Sequence, residues 1–373
     1  MYLLIFLITF FPVIEIFNIQ IPTISVLFIT LLFKKQIKLN KKMLKISLFS
    51  IIVFLLLSLL SYFQYHISIQ NIIYPFILIY TCLLYCCLDN YINEKNQKKL
   101  IKGMQFFMII QLVFCILQFT NFLGSNEILS KLYFYWQRVN AGKTATYLEI
   151  SYRPFGTTGN PIYTAITCYL FGQTIKAYTK DKKYYYLSLI IILLSGARMA
   201  LIAFLLIEIY INIIKKIGSK PLTAIFRLTL VCLILYLGYQ YVPFIQKYIL
   251  MIINGDSNIL NDYSISYRLS MFDLFKYNSN YILFGGIGIE NLPSYVDCEY
   301  ILRILQFGLI GFAVYLLPFG YLFKTLKKND IVKSIILFLI LMMITVVIMT
   351  NLYFIPYLLI TLIMLERGDK KCE

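Results

Sequence analysis

Long apolar runs separated by polar connections dominate the chain. Twelve runs can be marked, at about 2–17, 19–33, 46–63, 72–88, 103–120, 161–177, 184–194, 198–214, 228–243, 300–322, 334–349 and 352–365. A helix needs about 20 apolar residues to cross a hydrocarbon core of ~30 Å. The pattern predicts an all-α polytopic membrane protein of about twelve transmembrane helices. These form a single transmembrane domain over residues 1–373.

Composition supports the membrane prediction. Hydrophobic residues make up 60% of the chain and charged residues only 14%. A soluble domain of this length needs far more polar surface. The first residues, MYLLIFLITFF, lack a basic region and a small-residue cleavage site, so they predict a retained first span and no cleaved signal peptide.

The basic residues predict the orientation of the chain. The net charge is +17, and most of the 34 lysine and arginine residues lie in short connections that alternate with less basic ones. Positive connections face the cytoplasm, so both termini are predicted inside. The charge is therefore a topology signal, and no nucleic acid is expected as a partner. Two long connections, about 121–160 and 244–299, are predicted outside and are expected to carry the site.

Cysteine and histidine usage gives no sign of metal or redox chemistry. The chain has eight cysteines, most of them inside apolar runs, and one histidine, His66. No CxxC pair occurs, so a zinc site is not expected. No cofactor is predicted.

Arginines are distributed differently from lysines. Five of the seven are predicted in outer connections or at the outer ends of spans: Arg138, Arg153, Arg198, Arg268 and Arg303. A guanidinium is always charged and suits bidentate phosphate binding. Five of them on one outer surface would suit a pyrophosphate. The alternative is that each pairs with a nearby acid or extends singly to the interface.

The local contexts of these arginines predict turns and helix starts. The segment 153–161, RPFGTTGNP, has two glycines that permit unusual backbone angles and an Asn-Pro helix start. Its free N–H groups suit an anion. The segment 195–198, SGAR, predicts a hinge between two spans. The segment 266–277 predicts a short amphipathic helix on the membrane, and FGGIGI predicts a tight loop. Glu299 lies four residues before Arg303, so an intrahelical pair is the alternative there.

Four motifs in order carry a family resemblance: RPFGTTGNP, SGAR, SISYRLSMFDLF followed by FGGIGI, and DCEYILRILQFGLIG. The chain resembles the O-antigen polymerase and ligase superfamily, especially Wzy-type polysaccharide polymerases, over about 100–365. The resemblance implies a glycosyltransferase of the cytoplasmic (inner) membrane, active in capsule, exopolysaccharide or O-antigen synthesis. It implies that Arg153, Arg198 and Arg268 hold the pyrophosphate of an undecaprenyl-linked oligosaccharide. A chain-length regulator and a flippase are the implied protein partners.

The general base stays open. Ligases of this superfamily carry a histidine where Asp297 stands here, which counts against a ligase. Asp297 and Glu299 are placed to accept a proton from an incoming sugar hydroxyl. The alternative for both acids is helix capping or pairing. Two rival functions stay open: a surface-glycan ligase, and a lipid-linked oligosaccharide flippase, which should bury more charge within its spans.

Overall fold

The structure is a computed structural model. It describes residues 13–16, 19–22, 39–65, 75–129, 153–210, 298–326, 330–349, 351 and 354–370, and the single positions 9, 229, 232, 233, 236, 240, 266, 270, 273, 283 and 286. Nine α-helices of ten residues or more lie in these ranges: α1 Lys41–Tyr65, α2 Pro75–Tyr91, α3 Glu94–Thr120, α4 Pro161–Thr179, α5 Lys183–Ser195, α6 Arg198–Ile207, α7 Glu299–Thr325, α8 Asp330–Met342 and α9 Ile355–Lys370. A 3₁₀ helix, Phe122–Gly124, follows α3.

These helices coincide with nine of the twelve apolar runs, so the helical interpretation of those runs is confirmed. Among the described residues, three helical segments are long and apolar enough to cross a membrane: Lys41–Leu60, Asn96–Thr120 and Glu299–Thr325. Two shorter apolar helices cover Ile77–Tyr91 and Lys183–Ser195. The protein is therefore a predominantly helical membrane protein. Twelve spans and an inside location of both termini stay predictions.

The start of the chain differs from the prediction. Val13–Ile16 (β1) and Ile19–Pro22 (β2) form a two-stranded antiparallel sheet, with Ile16 opposite Ile19. The predicted helical spans over 2–17 and 19–33 are wrong for these eight positions. Most of them are isoleucine or valine, which favour strands because their branched side chains restrict χ1 in a helix. Apolar content alone did not distinguish the two states.

Helix α4 lies at the centre of the bundle. It packs against α3, α5, α6, α8 and α9. Thirteen of its residues are buried, namely Pro161 and every residue from Thr164 to Ile175. Burial on nearly every side is expected of a helix inside a bundle. Tyr169 stacks on Phe338 of α8 with ring centroids 3.8 Å apart. A Cβ on Gly172 would lie 3.0 Å from the Tyr184 carbonyl oxygen, so glycine permits the close approach of α5.

Helix α7 is interrupted at Gly308, about a third of the way along its length. Gly308 has φ +74° and ψ 168°, which interrupts the helical hydrogen bonds. The Ile310 N–H donates instead to the Leu283 carbonyl, 3.4 Å away. Gly286 has φ +62°, and a Cβ there would lie 2.4 Å from the Leu305 carbonyl oxygen. The one described position of the FGGIGI motif thus fits directly against the break in α7.

Candidate functional site

The loop before α4 has the backbone that its sequence predicts. Gly156 and Gly159 adopt φ of +57° and +73°. Asn160 caps α4, since its side-chain oxygen accepts from the Ile162 N–H at 2.8 Å, and Pro161 begins the helix. Both the glycine prediction and the Asn-Pro helix start are confirmed.

The same loop is held by two glutamines of α3. The Gln118 side-chain oxygen accepts from the Phe155 and Gly156 N–H groups, both at 2.9 Å, and its amide donates to the Gly156 carbonyl at 3.0 Å. The Gln111 side-chain oxygen accepts from the Thr157 N–H at 2.8 Å, and its amide donates to the Thr157 hydroxyl. The interpretation that these N–H groups face an anion is wrong, because buried glutamine oxygens already satisfy them.

Arg198 occupies the predicted hinge. Helix α5 ends at Ser195, and Gly196 follows in the left-handed region with φ +62°; its N–H donates to the Leu193 carbonyl at 3.1 Å. Helix α6 then begins at Arg198. The side chain of Arg198 therefore projects from the first turn of a helix that is held close to α5 by a short, buried connection.

Arg153 and Arg198 line one cavity of about 190 Å³. The cavity lies where the loop before α4, the start of α6 and the end of α8 meet. Ligand pockets usually measure about 300–1,000 Å³, so this one would take a compact charged group more readily than a whole glycan. Its lining is mixed, with two guanidinium groups, one hydroxyl and several apolar side chains: Arg153, Ile162, Ala197, Arg198, Met199, Ala200, Met342 and Thr345.

Thr345 reaches this cavity on the segment 343–349, which Glu299 holds at both ends. The Glu299 carboxylate accepts from the N–H groups of Ile348 and Met349 at 2.9 and 3.0 Å. The Glu299 N–H donates to the Met343 carbonyl at 2.9 Å. The Glu299 side chain is fully buried. Both donors lie outside α7, so this contact anchors the segment 343–349, a role that the predicted alternatives of helix capping or pairing did not include. It disfavours the proton-acceptor hypothesis, because one carboxylate oxygen is already engaged by two backbone donors.

Arg303 does not lie on the cavity lining. It is 3% exposed on α7. Its guanidinium donates to the Gln306 side-chain oxygen and lies 6.0 Å from the centre of the Phe307 ring. Gln306 and Phe307 lie on the same helix as Arg303, just before the break at Gly308.

Three predicted site residues, Arg138, Arg268 and Asp297, lie outside the described residues. Near Arg268, the positions Ser266, Ser270 and Asp273 are helical and exposed. Their spacing of four and three residues is that of one helix face, as expected for the polar side of the predicted amphipathic helix.

Sequence reasoning missed Gln111, Gln118 and Thr345. The two glutamines stand seven residues apart in the apolar run FFMIIQLVFCILQFT, so they lie on one face of α3. A polar side chain in an apolar helix requires a buried partner. The seven-residue spacing therefore predicts that one face of α3 contacts another polar segment, but it does not identify that segment.

The chain matches no protein-family model and no curated protein sequence. The fold and the site define a helical membrane protein in which two arginines line a cavity between the loop before α4, the start of α6 and the end of α8.

Proposed function

We propose that the protein is a polysaccharide polymerase that joins undecaprenyl-pyrophosphate-linked oligosaccharide repeat units at the outer face of the cytoplasmic membrane. One observation carries the proposal: Arg153 and Arg198, which come from separate motifs of the family resemblance, line the same cavity. Guanidinium groups bind phosphate oxygens in a bidentate geometry. A cavity of about 190 Å³ suits a diphosphate better than the attached sugar or lipid.

In the proposed reaction, a sugar hydroxyl of one repeat unit attacks C1 of the donor sugar of another. The C1–O bond to the pyrophosphate breaks, and its electron pair leaves with undecaprenyl pyrophosphate. Arg153 and Arg198 stabilise the charge that develops on that leaving group, with Arg268 as the third proposed contact. Each such donor is worth about 2.7–4 kcal/mol of transition-state stabilisation. The hydroxyl proton goes to a carboxylate, for which Asp297 is the remaining proposal because Glu299 is engaged elsewhere.

Purified protein supplied only with lipid-linked repeat units of the correct sugar tests the reaction. We expect a ladder of products together with free undecaprenyl pyrophosphate. No ATP, nucleotide sugar or divalent metal should be needed. If a chelator abolishes the ladder, the metal-independent mechanism is wrong.

The same assay separates the rival functions. A ligase leaves the mixture unchanged until a second lipid acceptor is added. A flippase moves the substrate across a vesicle without changing its size. If the correct repeat unit gives no ladder, the polymerase assignment falls and the ligase takes its place.

The proposed location of the site is tested by topology reporters. Fusions at Lys182 and Lys328 should report the cytoplasm, and fusions near Asn140 and Ser257 should report the outside. The reverse result for the last two positions would place the cavity on the wrong side for a lipid-linked oligosaccharide.

A further inference from the structure

Helix α3 carries three buried glutamines on one face. Gln97, Gln111 and Gln118 are 1%, 0% and 2% exposed. Intervals of fourteen and seven residues return to nearly the same direction on a helix with 3.6 residues per turn. Gln97 accepts from the Tyr178 hydroxyl at 3.2 Å. The hydrogen bonds of Gln111 and Gln118 instead run to the loop before α4.

The two loop contacts fix three consecutive residues. Gln118 binds Phe155 and Gly156, and Gln111 binds Thr157. Arg153 precedes this anchored stretch by one residue, Pro154, whose ring locks its own φ. The place of the Arg153 backbone therefore depends on where α3 holds Phe155.

The loop also fits closely against its anchor. A Cβ on Gly156 would lie 2.0 Å from the Gln111 side-chain oxygen. On the loop's other side, the Thr158 and Thr164 hydroxyls lie 2.6 Å apart, and Thr164 donates to the Phe155 carbonyl. The loop is thus held between α3 and α4 and has little room to move while both sets of contacts persist.

We propose that Gln118, assisted by Gln111, is a positioning residue that sets the place of the Arg153 guanidinium relative to Arg198. This inference rests on the proposed function, because it assigns the glutamines to the geometry of the pyrophosphate-holding arginines. A misplacement of about 1 Å costs about 10²-fold in rate when a reaction depends on fixed geometry. The glutamines touch no reacting atom, so they act only through the loop.

The Gln118→Leu variant removes all three hydrogen bonds at similar side-chain volume. We expect it to lower kcat for undecaprenyl pyrophosphate release by about 10²-fold. Combined with Arg153→Ala, it should lower kcat no further than Arg153→Ala alone, since both changes disable one guanidinium. Gln97→Leu is the matched control, because it removes a buried glutamine of the same helix about 30 Å from Gln118. Whatever factor Gln97→Leu takes off kcat, the double variant Gln97→Leu/Arg153→Ala should show the product of the two single factors, because Gln97 does not act through Arg153.

A conservative variant tests whether the two accepted N–H bonds carry the effect. Gln118→Glu keeps an oxygen for Phe155 and Gly156. A buried carboxylate already accepts two consecutive N–H groups in this protein, at Glu299. Gln118→Glu should therefore recover part of the kcat that Gln118→Leu loses, but not all of it, since its second oxygen cannot donate to the Gly156 carbonyl as the glutamine amide does.

A second measurement needs no enzymatic activity. The thiol of an Arg153→Cys variant is reacted with a small water-soluble thiol reagent, with the parent protein as background. Adding Gln118→Leu should change the reaction rate of that thiol severalfold, and adding Gln97→Leu should not. The positioning role is overturned if Gln118→Leu leaves the thiol reaction rate unchanged. It is also overturned if the kcat losses of Gln118→Leu and Arg153→Ala multiply fully in the double variant. If Arg153→Ala itself keeps full activity, the proposed function fails, and the thiol rates still decide whether Gln118 positions residue 153.

Discussion

Glu299 is either a proton acceptor in the reaction or an anchor for the segment 343–349. These two roles make opposite predictions for the Glu299→Gln variant. In the structure one carboxylate oxygen accepts from Ile348 and Met349, both of which are buried. Glutamine keeps an oxygen for both N–H groups and loses only the charge. A hydrogen bond to a charged group contributes about 1.5–3 kcal/mol and a neutral one about 1 kcal/mol. We therefore expect a loss of about 2 kcal/mol in the free energy of unfolding, with turnover largely retained.

Glu299→Ala should behave differently. It leaves two buried N–H groups without their acceptor, at a cost of about 1–3 kcal/mol each, or about 2–6 kcal/mol together. The segment 343–349 then loses its anchor, and Thr345 is no longer held against the cavity. Both stability and activity should fall in this variant. Glu208→Ala is the control, because it removes another buried carboxylate, one that accepts from the Tyr185 side-chain hydroxyl at 2.7 Å and does not contact the segment 343–349 through that bond.

Thermal unfolding in detergent and the ladder assay together decide between the two roles. A general base contributes about 10²–10⁴-fold to rate, and an amide cannot replace it. If Glu299→Gln keeps its unfolding temperature yet loses 10²-fold or more in turnover, the anchoring role is refuted and Glu299 is the proton acceptor. A modest loss of stability with high activity supports the anchor.

Two further predictions concern the loop and the cavity. Gly156→Ala should lower the free energy of unfolding by about 3–4 kcal/mol: about 1–2 kcal/mol for an alanine in the left-handed region, and about 1 kcal/mol for each of the two hydrogen bonds lost as Gln111 is displaced. Gly124→Ala is the control, because Gly124 has φ +71° and a Cβ there would meet no atom within 4 Å. In denaturant unfolding this control should show only the cost of the left-handed alanine. Arg153→Ala and Arg198→Ala should each lower turnover by about 10²–10³-fold while the protein still accumulates in the membrane, and lysine should rescue either poorly because a point charge does not reproduce a planar fork. Full activity in an alanine variant would remove that arginine from the proposed site.

The local features of this protein were readable from its sequence because they depend on near neighbours along the chain. Apolar runs predicted α1 to α9 since a bundle or bilayer interior accepts a helix whose backbone is satisfied internally. Asn160 and Pro161 predicted the start of α4, and Gly196 predicted the break before α6. The strands at 13–22 were missed, because isoleucine-rich segments of four residues fit either a helix or a sheet.

Only the tertiary structure decided which distant residues meet. The order of apolar runs predicted five arginines on the outer side of the membrane. It could not show that Arg153 and Arg198 share a cavity while Arg303 is buried beside Gln306. The sequence likewise placed Glu299 near the start of α7 without revealing the backbone donors of 348 and 349 that face it. The pairings of Arg153 with Arg198 and of Glu299 with the segment 343–349 join residues about 40 to 50 positions apart, and they follow from how α4, α6, α7 and α8 pack. The spacing of apolar and polar residues determines which face of each helix is buried. Which other element that face contacts is determined only by the packing of the whole chain.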